Sequence, residues 1–231
     1  MMVRWQSDSI KRQTSRLTAG LASGTQRKKA VVNFAKRHKL IYFSSVSSGG
    51  QYIPVIRGST ASADQSDVHS CIGTHADYDM ALVERTATVA FDGYKSTIHR
   101  WYVLQIDLHK ASNLPFIFIG TKQQTKAYYA RLLTSHRQLR YLALGSAATN
   151  YAKFHSQYVV LSSPAELPLI YRLLTDETID TIAEHHYPFA VEIEGDSLSL
   201  ITDAGIPSQQ LLDKLLHYGL WLAKEIDSRL D

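Results

Sequence analysis

The chain holds one cysteine, Cys71, among 231 residues, so no intramolecular disulfide can brace it and a reducing, cytoplasmic setting is the default expectation. Long apolar runs are missing too. Leu114 to Thr121 and Tyr141 to Ala152 are uncharged but fall short of the roughly 20 apolar residues that a membrane-crossing helix needs. The first ten residues include Arg4 and Asp8 and carry no apolar stretch of the kind a secretory leader has. No Walker A sequence occurs, and no G-x-G-x-x-G, G-x-S-x-G, H-E-x-x-H or Cys-x-x-Cys. These absences disfavour nucleotide hydrolysis, dinucleotide redox chemistry and α/β-hydrolase catalysis.

Apolar residues make up 45% and charged residues 20%, enough for a sizeable core and incompatible with wholesale disorder. The formal charge of +4 is unevenly spread. Residues 1–39 carry +9, residues 40–140 carry +3 and residues 141–231 carry −8. A basic arm in front of an acidic domain is the asymmetry expected of a protein that meets a phosphate-bearing surface. Within the arm, Val31, Phe34, Ala35 and His38 recur at helical spacing, leaving Lys28, Lys29, Lys36, Arg37 and Lys39 for the other faces. This predicts a short basic amphipathic helix, able to lie on a membrane or to pack on the domain it precedes. Arg27, Lys28, Lys29, Lys36 and Arg37 are the candidate anionic-surface contacts. The preceding Ser7–Ser23 stretch, rich in Ser, Thr and Arg, predicts a mobile or marginally helical segment.

From Leu40 the pattern becomes that of strands. Leu40–Phe43 reads as a strand, followed by a long connection over 44–75 that holds a weak strand at Tyr52–Ile56. Met80–Phe91 and Tyr94–His109 flank Asp92-Gly93, the signature of a tight hairpin. Along the second of these strands Tyr102, Leu104, Ile106 and Leu108 form an apolar face, and Trp101, Val103, Gln105 and Asp107 an amphipathic one. Leu114–Ile119 reads as a strand covered on both faces. A helix over Lys122–Ser135, a strand over Gln157–Leu161, a helix from Pro164 to Leu174 capped by Ser163, and one over Glu177–His185 capped by Asp176 follow. A second hairpin sets Phe189, Val191 and Ile193 against Leu198 and Leu200, turning at Gly195-Asp196. Pro207–Leu230 is the strongest helix, with a wide stripe of leucines and Ile226 that either covers the sheet or mediates a homodimer.

The densest cluster of chemically capable residues is His69, Cys71, His75, Asp77 and Asp79, two imidazoles, a thiol and two carboxylates within eleven positions. A turn at Gly73 would converge them on a zinc or other transition ion, and Cys71 beside His69 or His75 would be a candidate nucleophile. The spacing matches no structural zinc pattern, so polar residues beside a strand are the competing reading, and no cofactor is expected. Basic residues are not interleaved with stacking aromatics, so nucleic acid could be held only through non-specific electrostatics.

Several positions taken together resemble a family of uncharacterised, conserved-hypothetical bacterial proteins. They are the Tyr78/Glu84/Thr86 strand leading through Lys95 to Trp101-Tyr102-Val103, then Leu114-Pro115-Phe116-Ile117, Phe154, Tyr158-Val159-Val160, Leu173-Leu174-Thr175, and Phe189 to Leu200. Members of that family often form the cytosolic part of small membrane-anchored proteins. The resemblance implies an α+β domain and transfers no functional residue.

The sequence thus predicts a basic, partly helical arm (1–39) and a single α+β domain (40–231), with a mostly antiparallel sheet built on two hairpins, packed helices and a long C-terminal amphipathic helix. Its leading functional expectation is a non-enzymatic interaction or scaffold domain with an unknown protein partner, peripheral at the inner membrane through the arm. The alternatives are a metal-dependent or cysteine enzyme centred on 69–79 and a non-specific nucleic-acid binder.

Overall fold

The structure, a computed structural model, describes residues 24–45, 47–48, 51–52, 56, 65–91, 95–111, 113–124, 126–145, 147, 149–203 and 206–230. The Ser7–Ser23 segment and the Asp92-Gly93 turn lie outside them, Ser23 and Tyr94 included.

Helix α1 spans 24–38. Its apolar stripe docks it, with Val31, Phe34 and Ala35 buried. Lys39 takes a left-handed conformation (φ 58°), and the Leu40 N–H donates back to the Ala35 carbonyl at 2.8 Å, which closes the helix and turns the chain into a strand.

Among the described residues nine strands form one sheet: β1 (Ile41–Ser45), β4 (Gln65–His75), β5 (Tyr78–Phe91), β6 (Lys95–Asp107), β7 (Leu114–Thr121), β8 (Arg140–Leu142), β9 (Tyr158–Ser162), β10 (Ala190–Gly195) and β11 (Ser197–Asp203). Their spatial order is β1-β4-β5-β6-β11-β10-β7-β9-β8, and every neighbouring pair is antiparallel. Two short strands, β2 (Ser47–Ser48) and β3 (Gln51–Tyr52), pair separately. Both expected hairpins are present. Phe91 pairs with Lys95, and Glu194 with Ser197 around Gly195, whose φ of +64° suits glycine.

The expected long connection over 44–75 is corrected by β4, an eleven-residue strand second from the sheet edge. Apart from Val68, its helix-facing positions are filled by small or polar side chains (Ser66, Cys71, Gly73 and His75), and a bulge at His69 (φ 49°) interrupts its period. Neither leaves an alternation of large apolar residues to read. The turn is likewise displaced from Gly73 to Ala76-Asp77, both at positive φ (49° and 69°), between paired His75 and Tyr78. That is the geometry of a two-residue hairpin.

Helices α2 (Lys126–Ser135), α3 (Tyr151–Gln157), α4 (Leu167–Leu173), α5 (Asp176–Thr181) and α6 (Gln209–Arg229) complete the domain. The expected Pro164 helix begins as a 3-10 turn over Pro164–Glu166. Thr175, not Asp176, caps α5, its Oγ1 accepting from the Thr178 N–H, and α5 runs into a wider turn over Ile182–His186. Ser208 caps α6 in the same way, accepting from Leu211.

One sheet face, the helical face, buries Leu82, Tyr102, Leu104, Ile106, Leu198 and Leu200 against α1, α6 and the α3–α5 region. Leu212, Leu215, Leu216, Leu222 and Ile226 of α6 are consumed in that cover, so the stripe that a helix-mediated homodimer would use is already occupied. Gly219 lets α6 come close, because a Cβ there would stand 2.8 Å from Ile106 and 3.1 Å from Leu104. Asp227 fixes the other end, accepting from Tyr78 Oη at 2.8 Å and from the Lys110 N–H at 3.0 Å. The second face carries Val83, Trp101, Val103, Phe116, Phe118 and Ile201, covered by Tyr128, Tyr129 and Leu132 of α2 and by Ile56. No described helix is long and apolar enough to cross a membrane.

Candidate functional site

The five residues of the 69–79 cluster are divided by the sheet. Cys71 lies fully buried in the helical-face core, and burial pushes its thiol pKa up to about 12. The thiolate that a nucleophile or metal ligand needs is therefore suppressed at neutral pH. His75 packs edge-on to His38 of α1 on that same face, with ring centroids 4.9 Å apart. His69 Nδ1 meets Tyr42 Oη at 2.9 Å, and burial pushes its pKa down. Asp77 sits in the turn. Asp79 faces the opposite side, where Thr74 Oγ1 donates to it. Among the described residues no three His, Cys, Asp or Glu side chains gather as a metal site would require.

The basic residues of α1 also separate. Arg27 turns inward, its Nε 3.0 Å from Glu84 Oε1. The same carboxylate lies 2.9 Å from Arg100 Nε and accepts from Tyr102 Oη at 3.3 Å. Glu84 is 2% exposed, so two guanidinium groups offset the charge of a carboxylate that would otherwise be costly to bury, and a phenol hydrogen-bonds to its oxygen. Arg37 pairs with Asp213 of α6 at 2.5 Å, and His38 Nε2 meets the other oxygen of Asp213 at 3.1 Å. Lys28, Lys29 and Lys36 remain exposed on the outer side of the helix.

Sequence reasoning missed a hollow of about 330 Å³ on the second face, lined by Ile56, Ile72, Gly73, Asp79, Met80, Ala81, Gln105 and Asp107. Its apolar wall depends on a buried ion pair. Arg85 Nε donates to Asp67 Oδ1 at 2.6 Å and its Nη2 to Oδ2 at 2.8 Å, while Nη2 also reaches the Ile56 carbonyl at 2.7 Å. Both side chains are essentially inaccessible, so Arg85 holds Ile56 over the sheet with a desolvated, bidentate fork. On the polar side, burial, then the charges of Asp196 and Asp79, push the Asp107 carboxyl up. The usable signal was the amphipathic alternation of β6, which puts Gln105 and Asp107 on the same face as Val103.

Nine antiparallel strands, clad in helices across one face and partly across the other, define an α+β domain. No protein-family model matches the chain and no curated protein matches it in sequence. Among solved structures it is similar to the crystal structure of the mycobacterial trehalose monomycolate transport factor A, TtfA, with a TM-score of 0.55. The match covers 90% of this chain and 94% of that one at 11% identity. The likeness is one of fold.

Proposed function

We propose that the protein is a non-enzymatic accessory domain that docks peripherally on the anionic surface of the inner membrane with the outer side of α1. The observation that carries this reading is the division of the basic residues. Arg27 and Arg37 hold α1 to the domain, whereas Lys28, Lys29 and Lys36 are left to solvent on a rigid, docked helix. Each lysine near an anionic bilayer contributes about 1 kcal/mol. The fold shared with a protein described as a transport factor supports an accessory role by analogy.

Co-sedimentation of the full chain with phosphatidylglycerol-containing and neutral vesicles tests this. Binding to the anionic vesicles is expected to weaken with salt and to fall at least tenfold in a Lys28→Ala, Lys29→Ala, Lys36→Ala variant with an unchanged thermal transition. Equal binding to neutral vesicles, or binding that the triple variant retains, would overturn it.

A further inference from the structure

We propose that the open half of the second sheet face docks a lysine- or arginine-bearing segment of a partner protein, with the partner's cation received between Asp79 and Asp107. This goes beyond the membrane reading and uses the opposite side of the sheet.

Strand register lays out the surface. Ile41 pairs with Ile72, Ile72 with Ala81, and Ala81 with Gln105, giving a row that crosses four strands. At about 4.8 Å per strand, it is some 14 Å long. Its outer members are unusually bare: Ile41 is 66% exposed and Ile72 38%, with Phe43 at 40% two residues along β1. The next row runs through Thr74, Asp79, Asp107 and Ser197. Thr74 pairs with Asp79 and Asp107 with Ser197, and the Met80–Ile106 pair places Asp79 opposite Asp107.

Like charges set directly opposite on neighbouring strands destabilise a sheet. No described basic side chain forms an ion pair with Asp79, Asp107 or Asp196 to relieve this. Beside them the Gln105 Oε1 is buried and lacks a donor among the described residues. An ammonium or guanidinium group supplies positive charge and several N–H donors at once, and its aliphatic stem fits the Ile56, Ile72 and Ala81 wall. The apolar row extending past the hollow to Ile41 gives the partner's neighbouring residues a surface to cover. That extension favours a protein segment over a free amine.

The test is an amide-resolved NMR titration of the full chain with acetyl-Gly-Val-Arg-Val-Lys-Gly-amide and with its neutral counterpart carrying citrulline and norleucine. The charged peptide is expected to shift the Gly73, Ala81 and Gln105 amides saturably, with the neutral one at least tenfold weaker. An Asp79→Asn, Asp107→Asn variant should lose at least tenfold in affinity while melting no lower than the parent, since a repulsion is removed. Equal binding of the neutral peptide, unchanged affinity in the double variant, or no shift at millimolar peptide overturns the proposal. Calcium chloride alone shifting these amides, with the peptide inert, overturns it in favour of a metal. The same shifts on replacing Arg4, Lys11, Arg12 and Arg16 with alanine, without peptide, overturn it in favour of the chain's own basic start.

Discussion

Asp67 and Arg85 show how a polar pair can be more demanding than the apolar residues around it. Removing the carboxylate's charge takes from the buried Arg85 the partner of its bidentate fork, so Asp67→Asn is expected to cost about 3–5 kcal/mol, read as a lowered urea midpoint at constant m-value. A loss under 1 kcal/mol would mean that water reaches Arg85. Cys71 should be inert to thiol reagents in the native protein and react stoichiometrically in urea, because burial suppresses its thiolate. Rapid native labelling would show that the strand opens locally. His186 is 1% exposed and packs against Tyr218 and Trp221, with ring centroids 4.5 and 4.8 Å away. Neither of its ring nitrogens has a partner among the described residues. Burial, then His185 and His217, push its pKa down to about 3 from the ordinary 6.5. The unfolded chain therefore binds the extra proton between those values. Its contribution to stability is complete above about pH 6.5 and is lost as pH falls toward 3. Between pH 7 and pH 5 that amounts to about 2 kcal/mol for one group, and His186→Phe should flatten the unfolding free energy over that range. An unaltered slope would place the effect on other groups.

At the scale of elements, α2 lies on β7 because Gly120 makes room for it. A Cβ at Gly120 would collide with the Tyr129 and Phe118 rings, and Tyr129 Oη donates to the Thr121 carbonyl there at 2.6 Å. Gly120→Ala is expected to cost about 1–3 kcal/mol by overpacking, measured by thermal unfolding. A neutral result would show that α2 can shift on the sheet. The two hairpins, β7 and α6 were legible in the sequence because glycine turns, a continuous apolar run and a leucine stripe are local signals. Strand β4 was not legible, since Ser66, Ser70 and Gly73 present no apolar alternation and Ala76 disguises a positive-φ turn. The hollow was hidden for a different reason. Its members come from β4, β5, β6 and from Ile56, and only strand register brings Asp79 opposite Asp107.

The basic arm and the domain meet as one molecule over the described residues. Val31 and Phe34 are fully buried, each contributing about 1.5–3 kcal/mol, against a total of roughly 5–15 kcal/mol for a typical domain. A chain beginning at Leu40 is therefore expected to lose its cooperative thermal transition in circular dichroism. A melting temperature within a few degrees of the parent's would show that α1 is dispensable to the fold. Composition and charge layout had anticipated an amphipathic helix that packs on the domain it precedes. Which basic residues tie the helix to the domain was set by Glu84 and Asp213, residues 57 and 176 positions away from their partners Arg27 and Arg37.

The strand order has a kinetic consequence. Strands β1, β4, β5 and β6 form one run of neighbours, and β11, β10, β7, β9 and β8 another. The two runs meet only where β6 pairs with β11, over seven positions from Ser197–Asp107 to Asp203–Trp101. Residues some ninety apart in the chain must find each other to close that seam, and Gly219 of α6 lies across it against Leu104 and Ile106 on one side and Leu200 on the other. Such distant pairing slows folding. During synthesis, the β6 edge of the first run must wait unpaired until residues 197–203 have left the ribosome.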